Sequence, residues 1–269
     1  MNDQDMKSSN TICNKKLRKI QFTKKRVILL GIGIVIAAVI IGIVKYLTFY
    51  IPADEPSISA MISSDKVTVE QIGDTIAFTP TQEIPTIGYI YYPGGQVEPE
   101  SFAYAANKIA QNGIQVIIQR MPFNLAIFGK NKAFTVMDTY TDIEKWYIGG
   151  FSLGGVVACM AASDKTDAFE GIVLYASYTT KSSSLTDSGL KVFSLSGEKD
   201  GLATSSKIDD AKKYFPVNAQ YVQIAGGNHT QFAIYGKGEL QKGDNKATIS
   251  RIKQQEIVID KTVAFLKQE

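Results

Sequence analysis

An uninterrupted apolar run near the amino terminus constrains this chain more than any other feature. Residues Val27 to Val44 read VILLGIGIVIAAVIIGIV and carry no charge. In a helix these residues would span roughly 27 Å, close to the thickness of a bilayer's hydrocarbon core. Since the run has no polar face, a helix formed by it has no side suited to water. The sequence therefore predicts a transmembrane helix over residues 27–44.

The charges on the two sides of this run differ. Residues 1–26 carry a net charge of +6 within a chain of net charge +3, so the remainder carries −3. A basic tail is also typical of nucleic-acid-binding proteins, but a tail followed directly by an apolar span indicates cytoplasmic retention instead. We expect no nucleic-acid partner. The pattern predicts a single-pass protein of the cell membrane, with a cytoplasmic amino terminus and the bulk of the chain outside the cell.

A cleaved signal peptide is the alternative interpretation of the apolar run. The apolar core of a signal peptide usually has about 7–15 residues and ends near small residues at the cleavage site. This run is longer, and the first small-x-small candidate, Ser57-Ile58-Ser59, lies far beyond its end. We therefore favour an uncleaved anchor.

The residues after the anchor divide into a predicted linker over 45–64 and a folded domain over 65–269. Two prolines and several small polar residues in Ile51–Ser64 indicate a linker. Short apolar runs then alternate with helical spacing, after a hairpin centred on Gly73-Asp74. This alternation predicts an α/β fold with a mostly parallel sheet and helices on both faces. The predicted strands are Val67–Glu70, Thr75–Thr79, Ile87–Tyr92, Ile114–Gln119, Lys145–Gly149, Gly171–Ala176, Val192–Leu195 and Gln220–Ile224.

A glycine-rich turn carries the most specific chemical signal. Residues Gly150 to Gly154 read GFSLG and match G-x-S-x-G between a predicted strand and a predicted helix over Val156–Ala162. Such a turn holds its serine exposed beside a helix amino terminus, which makes Ser152 the candidate nucleophile. A structural Gly-rich turn with an incidental serine is the alternative. The nucleophile also needs a base, because a serine hydroxyl is unreactive at neutral pH.

The chain holds one histidine, His229, in a glycine-flanked loop after the last predicted strand. We expect it to be the base, with a carboxylate that orients the ring. Asp200 follows the preceding predicted strand and gives the chain order Ser, Asp, His, which is one of the known orders for such a triad. Glu198 is a second candidate for the carboxylate, and Asp187 is a third.

Backbone N–H groups are expected to bind the oxyanion. One is the N–H of Leu153, directly after the nucleophile. The other comes from the loop after the third strand, where Gly95 is favoured over Gly94. An ordinary Pro-Gly turn is the alternative interpretation of that loop.

Taken together, these motifs resemble the α/β-hydrolase family, in its small dienelactone-hydrolase-like branch. The resemblance covers roughly Thr86–Lys267 and rests on five segments. It implies acyl transfer to serine followed by hydrolysis. Pro93-Gly94 replaces the His-Gly common at the oxyanion loop, which leaves the donor there open. The five segments are YYPGG at 91–95, MPFN at 121–124, GGFSLGG at 149–155, SGEKDG at 196–201 and GGNHTQF at 226–232.

The expected function is hydrolysis of carboxylic esters or related small acyl compounds through an acyl-enzyme. A non-catalytic cell-surface binding or assembly protein is the alternative, as is an acyltransferase or peptidase that uses the same triad. No cofactor is expected, and one histidine without a close cysteine pair excludes a zinc constellation. The oligomeric state is left open.

The segment Ser177–Leu190 is polar and too short for a helical cap, so we expect no large lid. Any roof over the cleft would come from Phe123, Leu125 and Phe128. An uncapped cleft favours short, soluble acyl substrates over long-chain lipids.

The charge pattern makes the topology testable. Protease added to intact cells should digest or release the residues after Lys45, because the basic tail holds the amino terminus inside. Immunoblotting for the two ends of the chain measures this. Full protection in intact cells, with digestion only after lysis, would reverse the orientation.

Overall fold

The computed structural model describes residues 24–268. These residues form two compact units, an amino-terminal helix and a folded domain that begins at Leu47. Most of the predicted cytoplasmic tail lies outside the described residues.

Helix α1 (Lys24–Thr48) contains the apolar run and continues four residues past it. The large apolar side chains from Val27 to Val44 are 51–67% exposed, so protein does not cover them. Val27–Thr48 is long and apolar enough to cross a membrane, and its 22 residues reach about 33 Å. The predicted span is therefore a candidate transmembrane helix that ends at Thr48 and not at Val44.

Eight strands form one sheet in the domain. They are β1 (Val67–Ile72), β2 (Thr75–Pro80), β3 (Ile87–Tyr92), β4 (Ile114–Gln119), β5 (Lys145–Phe151), β6 (Gly171–Tyr175), β7 (Lys191–Gly197) and β8 (Gln220–Ile224). Their order across the sheet is β1-β2-β4-β3-β5-β6-β7-β8. The hairpin β1-β2 joins β4 in antiparallel pairing, and every neighbour from β4 to β8 is parallel. The predicted mostly parallel sheet is confirmed.

Helices cover both faces of this sheet. Because successive side chains of a strand point to opposite faces, each central strand supplies two cores. In β3, Tyr89 and Tyr91 enter the core formed with α2 and α6, whereas Ile90 and Tyr92 enter the core formed with α3 and α4. The helices of the domain are α2 (Ala103–Ala110), α3 (Lys132–Thr139), α4 (Leu153–Asp164), α5 (Ser205–Ala211) and α6 (Arg251–Leu266).

The parallel strands end at one edge of the sheet, and the loops at that edge carry the candidate site residues. Gly95 follows β3, Ser152 follows β5, Asp200 follows β7 and His229 follows β8. The carboxyl edge of an open parallel sheet is the usual position of a ligand site.

The segment predicted as a linker packs against the domain instead. The carbonyl of Ile51 accepts the N–H of Glu98 at 3.0 Å. Asp54 forms a partly buried ion pair with Arg251 at 2.9 Å. Small polar residues and prolines suit an extended packed segment as well as a free linker, and their distant partners are not visible in the local sequence. From Ile51 onward, the predicted linker therefore includes residues that are bonded to the domain.

Cys159 is the one free cysteine of the described range, and it is buried in α4. Burial raises the pKa of its thiol to about 12. The thiol therefore stays protonated at neutral pH and behaves as a small apolar core residue. Cys13 lies outside the described residues.

The attachment of residues 51–64 can be measured through the ion pair between Asp54 and Arg251. Asp54→Ala and Arg251→Ala should each lower the free energy of unfolding by about 1 kcal/mol, with a coupling of about 0.5–1 kcal/mol in the double variant. Chemical denaturation of the four proteins gives this coupling. The exposed pair Lys253–Glu256 on the same helix is the matched control. Coupling no larger than in the control would contradict the packed segment.

Candidate active site

Ser152 lies alone in a sharp turn between β5 and α4. Its φ of 50° and ψ of −120° are rarely adopted by a residue with a side chain. The turn closes because Gly150 and Gly154 pass against the carbonyl oxygen of Tyr92, where a Cβ at either position would clash. The N–H of Ser152 donates to the carbonyl of Tyr175 at 3.0 Å. Backbone strain held in place by its surroundings is typical of functional positions.

Asp200 and His229 form a buried hydrogen-bonded pair. His229 Nδ1 lies 2.9 Å from Asp200 Oδ2, and the side chains are 2% and 0% exposed. Asp200 Oδ1 accepts the N–H groups of Leu202 and Ala203 at 2.8 and 2.7 Å. An ionised carboxylate only accepts hydrogen bonds, so this contact assigns the proton of the neutral imidazole to Nδ1. The lone pair is then on Nε2, which is buried and has no hydrogen-bond partner among residues 24–268.

The other two carboxylates considered from the sequence do not hold His229. The ammonium of Lys199 and then the N–H of Gly226 hydrogen-bond to Glu198 and lower its pKa. Asp187 is exposed in the loop between β6 and β7. Within the described range, Asp200 is the carboxylate that binds the imidazole.

Ser152 and His229 line one cleft of about 220 Å³. Phe151, which directly precedes Ser152, packs against the imidazole of His229. The centroids of the two rings are 4.7 Å apart. The Ser152 hydroxyl and His229 Nε2 are not hydrogen-bonded in this state. Hydrogen bonds of this kind are often long without substrate and tighten in the complex. The other lining residues are largely apolar and include Leu153, Val156, Tyr178 and Leu202.

The predicted oxyanion loop packs against the start of α4. A Cβ at Gly95 would lie 3.1 Å from Leu153 Cδ2. Neither the N–H of Gly95 nor that of Leu153 donates to a protein acceptor within residues 24–268. Gly94 instead lies under the Phe151 ring, where a Cβ would approach to 2.5 Å. The N–H groups of Leu153 and Gly95, the two named first from the sequence, therefore lie near the Ser152 turn and have no protein acceptor among the described residues.

Among residues 24–268, no large lid covers this cleft. The connection between β6 and β7 contains one short 3-10 turn, Lys181–Ser183, and is otherwise irregular. Phe123, Leu125 and Phe128, the residues considered for a roof, do not line the cleft. The stretch they belong to forms two short 3-10 turns before α3.

Asp244 is a buried carboxylate that the sequence analysis did not single out. Its Oδ1 accepts the N–H groups of Gly201 and His229 at 3.0 and 3.3 Å. Its Oδ2 accepts the N–H and the hydroxyl of Thr230 at 2.8 and 2.6 Å. Asp244 therefore ties the loop after β7 to the loop after β8. Its only sequence signal is a Gly-Asp-Asn turn, which looks the same as a solvated turn.

Residues 24–268 contain no group of three or more His, Cys, Asp and Glu side chains arranged to hold a metal ion. A second cavity of about 240 Å³ lies between the β1-β2 turn and α3. It contains no histidine, so it lacks a nucleophile with an imidazole base.

Comparison with known sequences identifies the fold family. The profile of the alpha/beta hydrolase family matches residues 88–256. The chain belongs to the alpha/beta hydrolase family. The family resemblance stated from the motifs is thus confirmed. A search of curated proteins gives no match.

Solved structures share the fold at low sequence identity. A predicted CIB-like hydrolase from Thermoplasma acidophilum aligns with a TM-score of 0.53 and 13% identity, over 74% of this chain and 98% of that one. Est1E from Butyrivibrio proteoclasticus, solved with ferulic acid bound, aligns at 0.54 and 11%, over 77% and 99%. One of the metagenome-derived lipolytic enzymes LipS and LipT aligns at 0.53 and 11%, over 69% and 95%. Family and neighbours together support a hydrolase.

The single imidazole of the chain makes the Asp200–His229 contact directly observable. A ¹⁵N-edited NMR spectrum should show one hydrogen-bonded Nδ1–H signal, protected from solvent exchange by burial.

Asp244→Ala should lower the free energy of unfolding by about 2–4 kcal/mol, because it leaves buried N–H groups unpaired. It should also broaden the imidazole signal or accelerate its exchange.

The exposed Asp209→Ala on α5 is the matched control, with a change within about 0.5 kcal/mol and an unaltered imidazole signal. An Asp244→Ala protein of wild-type stability and spectrum would refute the positioning role of Asp244.

Proposed function

We propose that this protein is a serine hydrolase that cleaves carboxylic esters or related small acyl compounds. Ser152 is the nucleophile, His229 the general base and acid, and Asp200 the group that orients the imidazole. The buried hydrogen bond between Asp200 and His229, in the cleft that also contains the strained Ser152, is the observation that carries this proposal. A histidine held this way has its free nitrogen available to a hydroxyl proton.

The reaction proceeds in two acyl-transfer steps. Ser152 Oγ attacks the acyl carbon while its proton passes to His229 Nε2. The carbon–oxygen bond to the alcohol then breaks, and the imidazolium returns the proton to the leaving alkoxide. A water molecule, activated by the same imidazole, attacks the acyl-enzyme and releases the acid and free Ser152. Asp200 stabilises the imidazolium in both steps.

The charge that develops on the carbonyl oxygen needs donors fixed before the reaction. The N–H groups of Leu153 and Gly95 fill this role in the proposal, since both are unpaired within the described residues. Removal of one such donor typically costs about 10²–10³ in kcat. Leu153 also begins α4, so the helix dipole adds to the stabilisation.

The size of the cleft supports a small acyl group. A volume of about 220 Å³ lies below the roughly 300–1,000 Å³ typical of pockets for drug-sized ligands. A short acyl chain fills this space, whereas a long chain would extend past the lining residues. Est1E with ferulic acid is a neighbour whose ligand is a small acid.

A non-catalytic binding protein is less consistent with these contacts. Binding alone does not need a strained serine, and strain of this kind costs of order 1–3 kcal/mol. Acyl transfer to a second substrate differs from hydrolysis only in the acceptor of the last step.

The candidate helix Val27–Thr48 supports a membrane location for the enzyme. We propose that it anchors the chain in the cell membrane, with the amino terminus in the cytoplasm and the hydrolase domain outside. The basic residues before the helix carry this orientation.

A fluorophosphonate probe tests the nucleophile in the full-length protein. Wild type should be labelled at Ser152, and Ser152→Ala should not be labelled. Asp200→Asn should slow labelling by about 10²–10⁴, because the imidazole loses its fixed tautomer. Ser163→Ala, on the same helix but outside the cleft, is the control and should label like wild type. A folded wild type that resists the probe would sink the proposal.

A further inference from the structure

The membrane helix is joined to the domain at the edge that contains the candidate active site. Helix α1 ends at Thr48, and Ile51 is already fixed to the domain. The N–H of Ile51 donates to the carbonyl of Gln96 at 2.8 Å. Gln96 is the neighbour in sequence of Gly95, the proposed oxyanion donor. The anchor is therefore attached beside the cleft.

The length of this connection limits how far Ile51 lies from the end of α1. Three residues from Thr48 to Ile51 span at most about 11 Å, whatever direction the helix takes. The attachment itself is firm, because the N–H of Ala53 donates to the Glu98 carboxylate at 2.7 Å and the Ser57 hydroxyl donates to the Ser101 carbonyl at 2.9 Å. A long free linker would allow any face of the domain to approach the bilayer. The short connection between Thr48 and Ile51 does not.

Three large apolar side chains are exposed next to the same loop. Phe123, Ile127 and Phe128 are 52%, 47% and 55% exposed, and the two aromatic rings pack edge to face at 5.8 Å. We call these three residues the apolar rim. The Gln96 N–H donates to the carbonyl of Asn124 at 2.8 Å, which holds the rim beside the attachment point. A clustered apolar surface of this kind marks an interaction site.

We propose that the apolar rim sits in the interface of the bilayer that holds α1, so that the active-site cleft faces the membrane. The substrate class is then an amphiphile whose short acyl ester is displayed at the lipid surface. This inference rests on the proposed hydrolase function for its chemical step. The short connection to α1 and the position of the apolar rim beside the attachment point both favour lipid as the occupant. The side chains of the rim favour it too, because aromatic and aliphatic side chains partition into the membrane interface.

The two halves of such a substrate have different destinations. The short acyl group enters the small cleft and is transferred to Ser152, while the apolar tail of the alcohol stays in the bilayer. Breakage of the ester bond leaves the alcohol, with its returned proton, in the membrane. Water then releases the small acid into solution. A small cleft and a membrane-borne substrate are therefore compatible.

Tryptophan quenching tests the orientation without reference to catalysis. Full-length Phe128→Trp and Val217→Trp are placed in phosphatidylcholine nanodiscs containing a doxyl-labelled lipid. Val217 is fully exposed just before β8, at the opposite edge of the sheet. The signal of the buried Trp146 is subtracted with the wild-type protein. About a third or more of the Phe128→Trp emission should be quenched, and little of the Val217→Trp emission.

Turnover of two esters tests the substrate class. One probe is the acetyl ester of a fluorophore that carries a sixteen-carbon alkyl tail, and the other is soluble 4-nitrophenyl acetate. The double variant Phe123→Asp/Phe128→Asp should lower the ratio of membrane-borne to soluble turnover about tenfold, whereas Val217→Asp should leave it unchanged. A helical spacer of about 20 residues after Thr48, roughly 30 Å long, should also lower the ratio.

The outcomes separate the two proposals. The membrane-facing cleft would be overturned by equal quenching in the two tryptophan variants, or by a ratio unchanged by the rim variant and the spacer. An indole in Phe128→Trp that is shielded from the quencher by contact with a second copy of the chain would also overturn it. A wild-type protein that hydrolyses neither ester, but shows the expected quenching pattern in the tryptophan variants, would instead refute the hydrolase function and leave the orientation intact.

Discussion

The contact between the β5–α4 turn and the carbonyl oxygen of Tyr92 is the constraint on which the site depends. Tyr92 ends β3, so this contact brings the nucleophile turn against the loop that carries Gly95. Gly150 and Gly154 both face that oxygen, and neither position has room for a Cβ. The price of this approach is the strained backbone of Ser152, which the surrounding strands hold in place. Two candidate oxyanion donors and the candidate nucleophile are thereby brought together by backbone packing alone.

The opposite side of the cleft is organised by buried carboxylates. Asp200 accepts two backbone N–H groups of its own loop with one oxygen and binds His229 with the other. Asp244 accepts hydrogen bonds from both loops and so fixes the distance between them. Charge-assisted hydrogen bonds of this kind are short and strong in a buried setting. The imidazole is therefore oriented by groups from three separate segments, with the Phe151 ring against its face.

In the proposed arrangement, the attachment of residues 51–64 to the domain relates this site to the membrane. An anchored enzyme with a long linker samples substrates in a large volume around its tether. Here the first fixed residue of the domain, Ile51, is hydrogen-bonded to the oxyanion loop. In the proposed arrangement, the fold as well as the anchor sets the position of the cleft at the bilayer, and the membrane surface then takes part in substrate selection.

The sequence by itself determined the apolar span, the parallel sheet and the identities of Ser152, Asp200 and His229 as candidates. The apolar span and the strands follow from periodicity, and the turn glycines mark the loops. The candidate triad follows from these local signals together with the order of its residues along the chain. Only the tertiary structure decided that β5 continues to Phe151 and that α4 begins at Leu153. The contact of Gly150 and Gly154 with the carbonyl oxygen of Tyr92 sets the ends of these two elements. It also decided that Asp244 joins the two loops and that residues from Ile51 onward pack on the domain. Their partners lie far away along the chain, and hydrogen bonds between distant segments leave no periodic trace in a sequence.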